Sequence, residues 1–305
     1  MSREGVHSIS VVIPAYNAGA YLAATLQSIV SQDAEAVEVI LVDGNSSDDT
    51  LTIAFAFPDL CIKVISEPDA GQLDALQKGV RLATGDIVLW LNADDIVMPG
   101  AFSEVRAIFA KYDVDFVYSD DVAFLEENRG YYYGPSITGL SDLDHFLFYR
   151  QLYSECVYWK RSVTRYLPNE AFAFRVYTDY AFFLRLRWGR RGLWINKRLG
   201  AFRVRSGQAS AKYSARKRSE YIAVKKMHRQ YIGMSAAVFN LRRCLYWPWF
   251  FVRQQLRPQL QRGVRRLLRL LTNDRARKNE AFYFYSEWLL GEGSRGPRYD
   301  HDKVG

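Results

Sequence analysis

The stretch Gly85-Asp86-Ile87-Val88-Leu89-Trp90-Leu91-Asn92-Ala93-Asp94-Asp95 restricts what this chain can fold into more than any other part of it. Residues 87–91 read as a buried strand that ends abruptly in Asn92, Asp94 and Asp95. Carboxylates close such a strand without a large penalty only where solvent, a cation or a positive ligand meets them. In an open parallel sheet, the carboxyl ends of the strands form the rim where ligands bind. Taken alone, the cluster has two readings. One is a divalent cation bridging protein and phosphate oxygens; the other is a surface turn with an Asp helix cap before Met98-Pro99-Gly100.

The segments upstream follow the same plan. Residues 9–13, 37–42 and 62–65 are short apolar runs that read as strands. Helical spacing covers residues 21–31, 51–55 and 73–83. Each strand runs into a polar loop: Pro14-Ala15-Tyr16-Asn17, then 43–50, then Glu67-Pro68-Asp69-Ala70-Gly71. Such alternation predicts an α/β chain with a Rossmann-like, doubly wound, mostly parallel sheet and right-handed crossovers. All these loops would then share one rim with residues 92–95. Further on, residues 101–111 predict a helix and 114–118 a strand ending in Ser119-Asp120-Asp121.

Charge separates the chain into unlike parts. Residues 1–121 carry 6 Lys/Arg against 19 Asp/Glu, and the remainder carries 35 against 14. A basic C-terminal part of this kind suits an anionic surface, with nucleic acid and membrane both open. Three widely spaced cysteines, no signal-peptide pattern at the start and no apolar run of spanning length lead to the expectation of a cytoplasmic protein. Neither G-x-G-x-x-G nor G-x-x-x-x-G-K-[ST] occurs, which argues against dinucleotide oxidoreductases and P-loop proteins. The device left for holding phosphate is a metal at residues 92–95, with an acid such as Asp43 accepting hydrogen bonds from a base or ribose.

Four blocks in order carry a resemblance: Val11-Val12-Ile13-Pro14-Ala15-Tyr16-Asn17, the loop 42–50, Asp69-Ala70-Gly71-Gln72, and the run from Gly85 to Asp95. Together they resemble the nucleotide-sugar domain of family-2 glycosyltransferases with the GT-A fold, of the surface-polysaccharide type. The resemblance covers about residues 8–210. It implies a catalytic domain over 1–210, with a nucleotide-sugar half at about 8–121 and an acceptor half at about 122–210. Pro14, Ala15, Tyr16 and Asn17 would line the nucleotide, and Asp43 would meet the base, with UDP or dTDP expected rather than GDP. Gly71 and Gln72 would approach the nucleotide-sugar. Asn92-Ala93-Asp94 occupies the D-x-D position, with Asp94 as ligand of a divalent cation (Mn²⁺ or Mg²⁺) and Asn92 in place of the usual first Asp. Within Tyr177-Thr178-Asp179-Tyr180, Asp179 would be the base that deprotonates the acceptor hydroxyl, although an acid at that place also caps a helix. Relatives often place a His where Arg205 stands; an Arg cannot ligate a cation but can bond a phosphate.

After residue 210 the resemblance ends, and 211–305 reads as a basic, aromatic-rich helical region. Leu256, Leu260, Val264, Leu267, Leu268 and Leu271 fall on one helical face, and Arg262, Arg265, Arg266 and Arg269 on the other. With Trp247, Trp249, Phe250 and Phe251, residues 244–271 fit either an interfacial helix on the inner face of the cytoplasmic membrane or a helix docked on the catalytic domain. The expected function is inverting, metal-dependent transfer of one sugar to a saccharide or lipid-linked saccharide. An inactive scaffold of the same fold, or a protein binding nucleic acid through its tail, are the competing readings; the acidic N-terminal part disfavours nucleic acid.

Overall fold

The computed structural model describes residues 7–33, 35–119, 122–126, 130–133, 152–164, 174–188, 190–205, 208, 212–241 and 244–245. The acidic pair Asp120 and Asp121 and the amphipathic run 256–271 with its aromatic cluster lie outside these residues.

Four strands begin the main sheet: β1 (Ile9–Ala15), β2 (Val37–Asp43), β3 (Ile62–Ser66) and β4 (Ile87–Trp90). With β6 (Phe116–Tyr118), β9 (Val157–Lys160) and β10 (Gly192–Trp194) they form seven strands in the order β10-β6-β9-β4-β1-β2-β3. All pairings are parallel except those of β9, which runs antiparallel to both β4 and β6. The chain is therefore an α/β protein with a mostly parallel central sheet, as the strand–loop–helix alternation predicts.

Both faces of this sheet are covered, so its central strands are mostly apolar. Val12, Ile40, Val42, Val88 and Trp90 face one apolar cluster, while Val11, Ile13, Val39, Leu41, Ile87 and Leu89 face the other. On the second face lie α1 (Gly19–Val30), α2 (Thr50–Phe55) and, further along, α4 (Ala101–Lys111), through Leu22, Leu26, Ala54, Phe102 and Val105. The first face is covered by α3 (Gln72–Leu82) and, after the short α5 (Arg161–Thr164), by α6 (Thr178–Arg187) and α7 (Lys217–Tyr231). Gly79 lets α3 approach: a Cβ there would lie 2.4 Å from Cγ1 of Val12. Trp90, Trp159, Phe182 and Phe183 meet in edge-to-face and tilted pairs with centroids 5.2–6.1 Å apart. Such pairs contribute about 0.5–1.5 kcal/mol each beyond the area they bury.

β1 reaches further than the sequence implies. Residues 14 and 15, read as a break, continue β1 and pair with Val42 and Asp43. Proline is tolerated there because β4 pairs with β1 only as far as Val12, so no ladder bond is lost on that side. A second, four-stranded sheet, β5-β11-β7-β8, combines β5 (Ile96–Val97), β7 (Ala123–Glu126), β8 (Gly130–Tyr133) and β11 (Gly200–Val204). Tyr131 belongs to the β7–β8 hairpin, paired with Leu125. Past residue 210 the same core continues, because Val224, Ile232, Met234 and Phe239 are buried with the α6 residues. Among the described residues no helix is long and apolar enough to cross a membrane.

Candidate functional site

The loops at the carboxyl ends of β1, β3 and β4 open onto one cavity of about 650 Å³. Pro14, Ala15, Tyr16, Gly71, Gln72, Asn92, Ala93, Asp94 and Asp179 all line it. Asn17 and Asp43 do not; they stand behind its wall and build the loops. Asn17 takes a left-handed conformation with φ 47°. Its Oδ1 accepts the Ser47 N–H at 3.0 Å, and its own N–H donates to Ser46 Oγ at 2.8 Å. Asp43 is fully buried and accepts from the Ser46 N–H at 3.0 Å, the Ser66 hydroxyl at 2.7 Å and the Ser46 hydroxyl. In this state its carboxylate organises the 43–46 turn, the arrangement expected of an Asx-turn residue.

The third loop turns at Gly71, whose φ of 119° suits glycine. A Cβ there would also come within 2.9 Å of the Arg175 guanidinium. Gln72 opens α3 and donates to Asn92 Oδ1 at 2.7 Å. The same oxygen accepts the Trp90 indole N–H at 3.0 Å. The Asn92 amide nitrogen donates to Asp95 Oδ2 at 2.8 Å and to Ser154 Oγ at 3.2 Å. Asn92 thus ties four side chains together, and a carboxylate at this position could not supply the donor that Asp95 uses.

Asp95 follows the strand into the interior. It is 1% exposed, and its Oδ1 accepts the Arg203 N–H at 2.9 Å, locking the β4 end to β11. Burial, followed by the nearby Glu155 and Asp94 carboxyls, holds its carboxyl well above the usual range. Asp94 stays at the cavity and accepts Arg205 Nε at 2.7 Å, while its carbonyl accepts Arg203 Nε at 2.8 Å. Both arginines face Tyr21, with guanidinium carbons 5.2 and 4.8 Å from the ring centre. The antiparallel β5–β11 pairing delivers them.

On the opposite wall, Asp179 sits in the first turn of α6 and accepts the Tyr180 N–H at 2.7 Å. Glu155, fully buried beside it, lines the cavity too. Its Oε1 has no hydrogen-bond partner among the described residues. Burial, with Asp179 and Asp94 adding to it, pushes its carboxyl up to about 8, so it carries a proton at neutral pH. No individual role is assigned to Glu155, Arg175 or Tyr21 from the sequence. For Glu155 there was a signal: a carboxylate between Ser154 and Cys156 at the entry of a buried aromatic strand. For Arg175 and Tyr21 there was none, because both act through contacts distant in the chain.

The fit of the cavity to a divalent cation rests on the chemistry of its donors. Among the described residues no group of three His, Cys, Asp or Glu side chains can hold a metal. Asn92 Oδ1 already accepts two donors, so within Asn92-Ala93-Asp94 it is Asp94 that can offer a carboxylate oxygen at the cavity. One carboxylate with substrate phosphates and water completing the shell is an ordinary arrangement for Mg²⁺-type sites, and the donor set fits a cation on those terms.

Comparison with known proteins agrees with this fold. The family profile described as Glycosyl transferase family 2 matches residues 10–179. A PGL/p-HBAD biosynthesis glycosyltransferase of Mycobacterium bovis is 34% identical over 181 residues, covering 58% of this chain and 68% of that protein. Among solved structures, S. aureus TarS residues 1–349 with UDP-GlcNAc aligns with a TM-score of 0.56 at 19% identity, over 67% of this chain and 60% of that one. The mannosyltransferase PcManGT from Pyrobaculum calidifontis, solved with GDP-Man and Mn²⁺, gives 0.54 at 19% identity, over 73% and 64%. The chain thus spans less than two thirds of either solved chain, and at these identities the likeness is one of fold.

Proposed function

The chain belongs to glycosyl transferase family 2 and is a glycosyltransferase; from that premise we propose inverting transfer of one sugar from a nucleoside-diphosphate-sugar to a saccharide or lipid-linked saccharide. The observation that carries this reading is a single cavity bearing Asp94 with Arg205 on one side and Asp179 on the other. The nucleotide lies along Pro14, Ala15 and Tyr16, and the diphosphate falls between Gly71, Gln72 and Asp94. UDP or dTDP is the favoured carrier, and the product belongs to surface polysaccharide or lipopolysaccharide assembly on the inner face of the membrane.

In the reaction, Asp179 takes the proton of the acceptor hydroxyl while that oxygen attacks the anomeric carbon from the face opposite the diphosphate. The new C–O bond forms as the bond to the diphosphate breaks, and the electron pair leaves on phosphate oxygen. Asp94 would hold Mn²⁺ or Mg²⁺, which would supply positive charge against the leaving diphosphate. Arg205 exchanges its bond to Asp94 for one to a phosphate oxygen and shares that task.

The reading is tested with thermal shifts on UDP-glucose, UDP-N-acetylglucosamine, dTDP-rhamnose and GDP-mannose, each with Mn²⁺, followed by transfer or hydrolysis of whichever donor shifts most. Asp94→Ala should lower turnover by two orders of magnitude or more. Full activity of Asp94→Ala in EDTA would remove this mechanism, and no shift with any donor would favour an inactive scaffold.

A further inference from the structure

We propose that Glu220, on a helix beyond the segment matched by the family profile, is a positioning residue that sets the place of both Asp179 and Arg175. The inference rests on Asp179 being the base of the reaction proposed above.

Residues 175–177 form the approach to α6 and, with Thr178 and Asp179, one wall of the cavity. Three successive backbone N–H groups there point at one carboxylate. Arg175 N–H lies 3.2 and 3.1 Å from the two Glu220 oxygens, Val176 N–H lies 2.8 Å from Oε2, and Tyr177 N–H lies 3.4 Å from it. Groups before a helix N-terminus have no intrahelical acceptor, and α6 has no side-chain cap of its own. Convergent N–H groups of this kind form a concave anion site. Here the anion is a side chain of the protein, 8% exposed, delivered by α7 from 43–45 residues downstream.

An independent set of contacts holds α7 in the register this needs. Tyr221, next to Glu220, stacks on Tyr180 at 5.8 Å and 22° and packs on Tyr177 at 5.5 Å. Val224 and His228 are completely buried on the same helical stripe, and Tyr231 lies under the Arg185 guanidinium at 3.5 Å. The stripe 220, 221, 224, 228, 231 follows helical spacing, so α7 is clamped along α6 for its whole length.

The loop held this way has a chemical group at each end. Arg175 reaches across to the Ala70 carbonyl at 3.4 Å and to the Gly71 turn, the donor side of the cavity. Asp179 lies on the other side, one residue into α6. Glu220 therefore fixes the relation of the third donor loop to the base, although it touches neither substrate.

The test uses the full chain. Glu220→Ala removes all these acceptors. Glu220→Gln keeps an oxygen at the Oε2 position, to which all three N–H groups donate, and serves as the conservative rescue. Backbone amide exchange of residues 175–177 is followed in wild type and both variants. Turnover is measured with the donor selected from the four-sugar panel, well below each variant's unfolding midpoint. Displacing a reacting group by about 1 Å can cost on the order of 100-fold. Glu220→Ala should therefore lose exchange protection at 175–177 and turn over up to 100-fold more slowly, Glu220→Gln should recover most of both, and in an Asp179→Asn background Glu220→Ala should cost clearly less than in wild type, the remainder being what Arg175 carries. Unchanged protection in Glu220→Ala, or full turnover with only a lowered midpoint, overturns the inference. If Asp179→Asn alone keeps wild-type turnover, the base assignment is what fails, and amide exchange then judges the clamp by itself.

Discussion

Replacing Asn92 by Asp would restore the acidic pair usual at this position in relatives, yet the structure predicts damage. The Asn92 amide nitrogen is 2.8 Å from Asp95 Oδ2, and Asp95 is 1% exposed. In Asn92→Asp the side-chain oxygen facing Gln72 and Trp90 keeps both donors, but the other oxygen meets the Asp95 carboxylate with no hydrogen between them. Leaving the buried Asp95 oxygen without its amide donor costs about 1–3 kcal/mol. Two full charges some 3 Å apart would repel by about 5 kcal/mol at an effective dielectric constant of 20. That exceeds the cost of retaining a proton on the pair, so the repulsion is largely relieved by protonation. The net loss should be about 2–4 kcal/mol, which lowers the thermal midpoint by on the order of 5 °C in a chain of this size. The assay is thermal or urea unfolding of both proteins in EDTA, with Gln72→Ala as a control that removes only an exposed partner of the same amide. If Asn92→Asp came within 0.5 kcal/mol of wild type without metal, the view of Asn92 as a structural tie would be wrong.

Two further outcomes can be checked. His228 is completely buried, and burial, with Arg185 and Arg187 facing it from α6, pulls its imidazole down from 6.5 to about 3. The unfolded chain then binds the extra proton first, so stability present above pH 6.5 falls by about 1.4 kcal/mol per pH unit as pH drops toward 3. Glu38 enters only below about 4.5: burial raises its carboxyl, but Lys63, Ser10 and Thr84 outweigh this and bring it to about 2. Glu155, raised to about 8, acts with the opposite sign, its stabilisation being lost as pH rises. The difference between wild type and His228→Phe isolates the histidine; a difference in urea stability that stays flat from pH 6.5 to 5 contradicts the assignment. Arg205→His removes the guanidinium bonded to Asp94 and offers a metal-binding nitrogen in its place. The Mn²⁺ concentration for half-maximal turnover should fall by roughly 10-fold, and an unchanged or higher value would show that Arg205 does not compete with the cation.

Much of this molecule is determined locally. Apolar runs of four to seven residues ending in Asp, Asn or Gly can pack only as buried parallel strands with polar loops on one rim, because every face of such a strand must be covered and every loop must reach solvent. That was enough to read β1 to β4 and their helices from one-dimensional pattern, while the cavity-lining Pro14, Ala15, Tyr16, Gly71, Gln72, Asn92 and Asp94 were named by the family resemblance of the loops that follow those strands. What the pattern could not contain was the direction in which each polar side chain turns once distant strands arrive. Asp43 and Asp94 have similar addresses, each beyond a buried strand, yet Ser46 and Ser66 draw one inward while Arg205 meets the other at the cavity. Asp95, one residue from Asp94, became a buried tie because β11 came back to offer it the Arg203 N–H. Glu220 acquired its place only when α7 folded onto α6, beyond the reach of any family motif. Hydrophobic periodicity is a property of neighbours along the chain, whereas the satisfaction of a buried charge depends on which partners the completed fold brings within 3 Å of it.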